Sequence, residues 1–439
     1  MSSGNQWAAR FIPLLDREIL KQRARTEVVP LTGLHKIETE LACKRLEISL
    51  GQTFYPTTQC LDILHQMVGM AHAHCLTTYP NIKGFLSGIY AKKAPLDEFA
   101  VPRLLTGLAG TGKSELLKAF IRIQPDESNA EIGHDHSPFL LRNPWSITVR
   151  VKNNPSDIFK ELAQTDKGST ELVEQCRKIA YRDGIPFLGI DEFQFLTGSG
   201  SANTKITQLL MSIGYLGLPW IYFANYSLVQ RLLKRPEEDR QRLLANCKVL
   251  LPDAPSSEDW ALTLEAIKKI APDVLTFDPR KDACDIHLFT AGRKRALKHL
   301  LVETFRDVHS RRGEVDLAAM ERIYQSHVYA RYREESEIIR TQAIQNRPDR
   351  SRMDLWCPIP LSADAATKFA QAAKDSRDAC VADAELRAAL NGNEKTVLKE
   401  MEKGAKPASK PKADVFPFKK KAPSADELKR NATRFRDMI

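Results

Sequence analysis

Arg103-Leu104-Leu105-Thr106-Gly107-Leu108-Ala109-Gly110-Thr111-Gly112-Lys113-Ser114 is the stretch whose reading decides the fold. Leu104-Leu105-Thr106 reads as a short apolar strand. The glycines then remove Cβ atoms where a backbone must wrap phosphate oxygens. Glu115 to Ile121 follows with helical spacing, so the free N–H groups and dipole of a helix N-terminus would face the same anion. In this G-x-x-x-x-G-K-S spacing, Lys113 is expected to reach the β- and γ-phosphates and Ser114 to ligate magnesium. Gly107, Gly110, Thr111 and Gly112 would supply the loop. The expected ligands are therefore ATP and magnesium (Mg).

Outward from this loop, residues from about 100 to 255 alternate apolar runs with helical patterns, as in a parallel sheet covered on both faces. Five strands are expected: Arg103 to Thr106, Ser146 to Val151, Pro186 to Ile190, Trp220 to Ala224 and Lys248 to Leu251. Beyond Pro255 the pattern turns helical, with Ser256-Ser257-Glu258-Asp259 as a helix start. An α/β nucleotide core of five parallel strands followed by a helical lid is the layout expected of an AAA+ P-loop NTPase. The divisions expected are a helical N-terminal accessory region at 1–95, the core at 96–255 and the lid at 256–335. A helical extension at 336–394 and a disordered basic tail at 395–439 complete the chain.

The 439 residues carry a net charge of +10, and 43% are apolar, enough for one large core or two smaller ones. Residues 395–439 hold +7 of that charge, so the body is only mildly basic and composition alone gives no case for nucleic-acid binding. The eight cysteines are scattered without a Cys-x-x-Cys pair, which indicates neither a zinc site nor a disulfide framework and fits a reducing cytoplasm. The polar N-terminus has no signal-peptide core. The uncharged stretch from Ile206 to Gln230 is broken by Gly214, Gly217, Pro219 and Asn225, so it reads as a buried α/β segment and not a membrane span.

Four further features carry chemistry. Phe187-Leu188-Gly189-Ile190-Asp191-Glu192 reads as a buried strand ending in two acids, with Asp191 placed to hold magnesium through water and Glu192 to act as general base. Asn225, ending Trp220-Ile221-Tyr222-Phe223-Ala224-Asn225, is expected to orient the attacking water as sensor 1; a plain helix-capping Asn is the bland alternative. Arg293, in Thr290-Ala291-Gly292-Arg293-Lys294-Arg295, is expected to contact the γ-phosphate from the lid as sensor 2, against the reading of a solvated basic helix end. Among Arg231, Lys234, Arg235, Arg240 and Arg242, one is expected to be the arginine finger reaching a neighbour's site, with Arg242 chosen and Arg240 next.

Together, the Gly107 loop, Leu188-Gly189-Ile190-Asp191-Glu192-Phe193-Gln194 with Phe195-Leu196, and the Gly217-Leu218-Pro219-Trp220 lead into the sensor strand resemble the TnsC/TniB transposition regulator ATPases. The likeness covers residues from about 75 to 305. Upstream, Thr78-Tyr79-Pro80-Asn81-Ile82-Lys83-Gly84 to Pro95 is similar to the segment before the loop in TnsC of transposons with a dedicated target selector. Where the family commonly has an Arg-Phe pair before the last core strand, Asn246-Cys247 stands here. The resemblance implies an ATP-dependent homo-oligomer, a ring or helical filament, on double-stranded DNA. A target-selecting protein or an RNA-guided complex would recruit it, and it would engage the transposase. It also implies sequence-independent phosphate contacts, for which Arg150 and Lys152 are the candidates. Two other functions share these features: a replication initiator or helicase loader, and a nucleotide-dependent signalling switch without DNA.

Overall fold

The computed structural model describes residues 5–132, 138–149, 155–165, 171–191 and 202–361, with isolated positions from there to Glu394. The chain divides into two units, 1–376 and 377–439. In the second, the described positions Asp378, Glu385, Ala389 and Glu394 are helical. The expected basic tail, 395–439, lies outside the described residues, as do Glu192, Arg150 and Lys152.

The first unit opens with helices α1 (Gln6–Ala9), α2 (Arg17–Ala24), α3 (Thr39–Gln52), α4 (Thr58–Thr78) and α5 (Ile82–Ile89). Strand β1 (Arg103–Gly107) leads into helix α6 (Lys113–Arg122), then into a short antiparallel ribbon, β2 (Ser128–Ala130) with β3 (Phe139–Leu141), for which the sequence reading had no place. β4 (Trp145–Thr148), α7 (Pro155–Ala163), α8 (Leu172–Arg182), β5 (Leu188–Asp191), α9 (Ala202–Gly214) and β6 (Trp220–Asn225) follow. Helices α10 (Tyr226–Leu232) and α11 (Glu237–Leu244) precede the last strand, β7 (Asn246–Leu250). The remainder is helical: α12 (Glu258–Lys268), α13 (Ala283–Thr290), α14 (Lys294–His309), α15 (Leu317–Gln325) and α16 (Ala330–Gln345). Ser257 caps α12 by accepting from the Trp260 N–H at 3.2 Å, the start expected from Ser256-Ser257-Glu258-Asp259. No helix among the described residues is long and apolar enough to cross a membrane.

The five expected strands form one parallel sheet in the order β4-β5-β6-β1-β7. Val151, the expected end of the second strand, lies outside the described residues, and the other ends shift by at most two residues. The strand expected to start at Ser146 begins at Trp145 and its described ladder closes at Val149, whose N–H donates to Asp191 O at 3.0 Å. Alternation sorts the side chains: Leu105, Ile221 and Phe223 enter one core, and Leu104, Trp220 and Tyr222 enter the core on the opposite face.

Helices α1, α2, α4 and α5 cover the first face through Trp7, Leu20, Leu64, Val68 and Phe85. α3 goes elsewhere. Its Ala42, Cys43, Leu46 and Leu50 are buried among lid residues Trp260, Leu264, Leu297, Leu301 and Phe305. The lid therefore has a core of its own, and residues 1–95 contribute to both.

Candidate nucleotide site

Register assembles the first half of the site. Gly107 pairs with Asn225 on one side and Leu250 on the other, while Asp191 pairs with Thr148. The carboxyl ends of β1, β5 and β6 thus share one edge of the sheet, where β1 is flanked by two strands that follow it in sequence. Ligands of open α/β sheets bind at this kind of topological crevice.

The loop after β1 has the backbone that its glycines permit. Gly110 and Gly112 take φ of +87° and +107°, which L side chains rarely adopt. Gly107 is a close approach, since a Cβ there would meet Leu250 O at 2.5 Å. Lys113 opens α6 and is 8% exposed; its Nζ donates to Gly107 O at 2.9 Å and to Leu108 O at 2.8 Å, which fixes the ammonium over the loop. The Thr111 hydroxyl donates to Leu108 O at 3.0 Å and is buried, so this side chain braces the loop and does not line the cavity.

A cavity of about 650 Å³ opens from this loop. Gly110, Gly112, Lys113, Ser114, Asp191 and Asn225 line its sheet end. Asn225 is the N-cap residue of α10, and its side chain makes no capping hydrogen bond there. A lysine ammonium, a serine hydroxyl and a buried carboxylate around a left-handed loop are a donor set for a polyphosphate with magnesium: hard oxygens for the cation, nitrogen donors for the anion. The residues present fit that pair, with Ser114 and Asp191 as the metal side.

The lid end is built by α14. Lys294, Arg295 and Lys298 line the cavity, and the Arg295 N–H donates to Gly110 O at 3.0 Å. A Cβ on Gly110 would stand 2.8 Å from Arg295 Cβ, so the lid rests directly on the loop. Burial lowers the Lys298 ammonium below the usual lysine range, with Glu115 opposing the shift. Lys294 Nζ lies 3.8 Å from Asp253, whose carboxyl is raised by burial against the pull of that lysine.

Arg293 corrects the sequence reading. It is 3% exposed and points away from the cavity, into α16: its guanidinium pairs with Glu335 and donates to Tyr332 O and Ser336 Oγ, both at 3.2 Å. Two residues on is about 200° around a helix, so Arg293 and Arg295 cannot share a face. The lid arginine at the cavity is Arg295, and its signal was the third position after Gly292 rather than the first. Among the finger candidates, Arg240 pairs with Glu237 and Arg235 with Asp239 at 3.0 Å, while Arg242 is exposed on the last turn of α11.

Sequence reasoning also missed α3, whose Glu47 and Gly51 line the cavity. The reading of residues 1–95 as a helical accessory region did not single this helix out.

No protein-family model matches this chain, and no curated protein sequence matches it. Among solved structures it is similar to domain III of the replication initiation protein DnaA of Thermotoga maritima, at 16% identity over 56% of this chain and 89% of that one, with a TM-score of 0.34. It is similar to the Aeropyrum pernix ORC1 protein in complex with DNA, at 15% identity over 82% and 81%, TM-score 0.35. The third is Drosophila ORC bound to DNA, at 13% identity over 88% and 90%, TM-score 0.38.

Proposed function

We propose that this chain is a DNA-dependent ATPase that assembles side by side on double-stranded DNA and links target selection to a transposase. The observation that supports it is the convergence of Lys113, Ser114, Asp191, Asn225 and Arg295 on one cavity from four separate elements. Gly110 and Gly112 with Lys113 would hold the phosphates, Ser114 and Asp191 the magnesium, and Glu192, the residue after Asp191, would take the proton of the attacking water. Asn225 would orient that water. Bound magnesium would supply charge neutralisation at the β- and γ-oxygens.

Arg242 on the exposed turn of α11 would stabilise developing charge in a neighbouring subunit's cavity, so hydrolysis would depend on assembly. The step from ATPase to transposition regulator is carried by the motif resemblance to TnsC/TniB proteins, and Arg150 and Lys152 are the proposed phosphate contacts to DNA.

The test is ATP hydrolysis with and without double-stranded DNA, in wild type and in Arg242→Ala, with Lys113→Ala mixed in. DNA should stimulate wild type, Arg242→Ala should bind ATP but lose the stimulation, and the mixture should regain part of it, because one variant brings an intact loop and the other an intact finger. A mixture as inactive as either variant, while both still assemble, removes Arg242 from the role. Stimulated loading of a replicative helicase in place of transposase capture would favour the initiator reading instead.

A further inference from the structure

We propose that the strap at residues 352–361, which returns from the lid to the sheet core, holds the lid in place for hydrolysis, with Arg352 and Leu355 as positioning residues that act through Arg295. This rests on the nucleotide reading above and adds a control that none of its motifs contains.

The chain leaves α16 at Asn346, in the left-handed conformation, and turns back toward the core. Gln342 Nε2 donates to Arg352 O at 3.3 Å and Gln230 Nε2 donates to Met353 O, so neighbouring carbonyls are held by a lid helix and by a core helix. The helical turn Met353–Leu355 packs against both α10 and α16. Ile359 then joins the hydrophobic core on the sheet face that holds Leu104 and Tyr222. The lid is thus tied to the sheet core twice, by residues 251–257 before α12 and by the strap after α16.

Two features bring the strap within reach of the chemistry. The first is a small cluster apart from the two sheet-face cores and the lid core, made of Leu108, Tyr226, Ala291, Ile339 and Leu355. It draws one residue each from the loop, α10, the turn before α14, α16 and the strap. Leu108 carries its side chain there while its carbonyl accepts from Lys113 Nζ at 2.8 Å, and Tyr226 directly follows Asn225. The second is Glu335, largely buried on α16. One of its oxygens pairs with Arg293, and the other lies 3.3 Å from Arg352 and 3.7 Å from Arg331. Arg293 is the N-cap residue of α14, two residues before the arginine whose N–H rests on Gly110 O. A single carboxylate therefore joins the strap to the end of the lid helix that meets the loop.

Removing the Leu355 side chain leaves a void where loop, α10 and lid meet. Removing Arg352 takes one of its cations from Glu335 and loosens the hold on Arg293. Either change frees the lid to rock on residues 251–257 and carries Arg295 off the γ-phosphate, while Lys113 and the loop keep their grip on ATP.

Turnover at saturating ATP on double-stranded DNA, calorimetric affinity for magnesium-ATP and urea unfolding test this in Leu355→Ala and Arg352→Ala, alone and combined with Arg295→Ala. Each strap variant should turn over about tenfold more slowly, with an affinity within about twofold of wild type. Leu355→Met and Arg352→Lys should recover most of the rate. In the Arg295→Ala background the same substitutions should slow turnover by less than about twofold, because the strap has nothing left to position. Arg352, partly exposed, carries the test if Leu355→Ala does not fold. Wild-type turnover in the single variants, or the full loss repeated in the Arg295→Ala background, overturns the proposal and leaves the strap a purely stabilising role. A loss of affinity in place of turnover overturns it too, since the strap would then act on the loop through Leu108. A wild-type chain that binds ATP without hydrolysing it on DNA also overturns it, whereas one that binds no ATP removes the nucleotide reading itself.

Discussion

The sheet end and the lid end of the cavity are placed by different forces. At the sheet end, Gly107, Asp191 and Asn225 sit on strand termini, and register fixes each against its neighbour. The backbone ladder places these residues, and the side chains need only be of the right type. At the lid end, Lys294, Arg295 and Lys298 sit on a helix whose facing is set by what packs beneath it. A turn of 100° per residue then decides whether a cation meets the cavity or a carboxylate. The lesson is that chemistry on strand ends is specified locally, whereas chemistry on a lid helix is specified by distant packing partners.

The sharpest way to break this comparison is at the two lid arginines. Arg293→Ala should cost about 3–5 kcal/mol in urea unfolding, because Glu335 and Ser336 lose a buried partner. Arg295→Ala should change stability by less than about 0.5 kcal/mol and instead reduce ATP hydrolysis on DNA by roughly a hundredfold. If the effects exchange places, α14 faces the other way and the original assignment of Arg293 returns.

Acid should strike two sites away from the cavity. Burial depresses His287, whose Nε2 lies 3.0 Å from Asp253 O at the lid, and His74, beside Thr78 on α4 under the sheet, each to about 4. The unfolded chain then binds more protons than the folded one between pH 6.5 and 4, so stability falls as pH drops through that window, by on the order of a few kcal/mol in total. His287→Gln and His74→Gln should each flatten part of the melting-temperature profile. A profile unchanged by both variants would mean that neither imidazole is neutral in the fold.

Thr111→Ala should have the smallest effect. The hydroxyl braces Leu108 O without lining the cavity, so the loss is about 1 kcal/mol, with ATP affinity nearly unchanged. A large loss of affinity on calorimetry would place Thr111 on the ligand.

The same contrast explains what could be read from the sequence. All five sheet strands were legible, because each is a short apolar run and buried parallel strands have no other composition. Some of their ends moved because the ladder continues past the last apolar residue, as at Ile190, where the strand includes Asp191. The loop was legible because Gly110 and Gly112 answer a backbone demand. Arg293 was misplaced because a Gly-Arg pair says where a helix begins but not which side its first residues face. α3 was passed over because Ala42, Cys43, Leu46 and Leu50 announce a buried face without naming the lid as its partner.

The placement of α3 has a consequence for how the chain is made. Thr39 meets His309 across 270 residues, and at a synthesis rate of about 5–20 residues per second the helix leaves the ribosome roughly 15–50 s before its partner does. Throughout that interval Leu46 and Leu50 have no lid to cover them, although α1, α2 and α4 can already gather with one another. A nascent chain should therefore expose one sticky helix beside a forming sheet, and the ribosome's release of α14 is the moment at which that surface disappears.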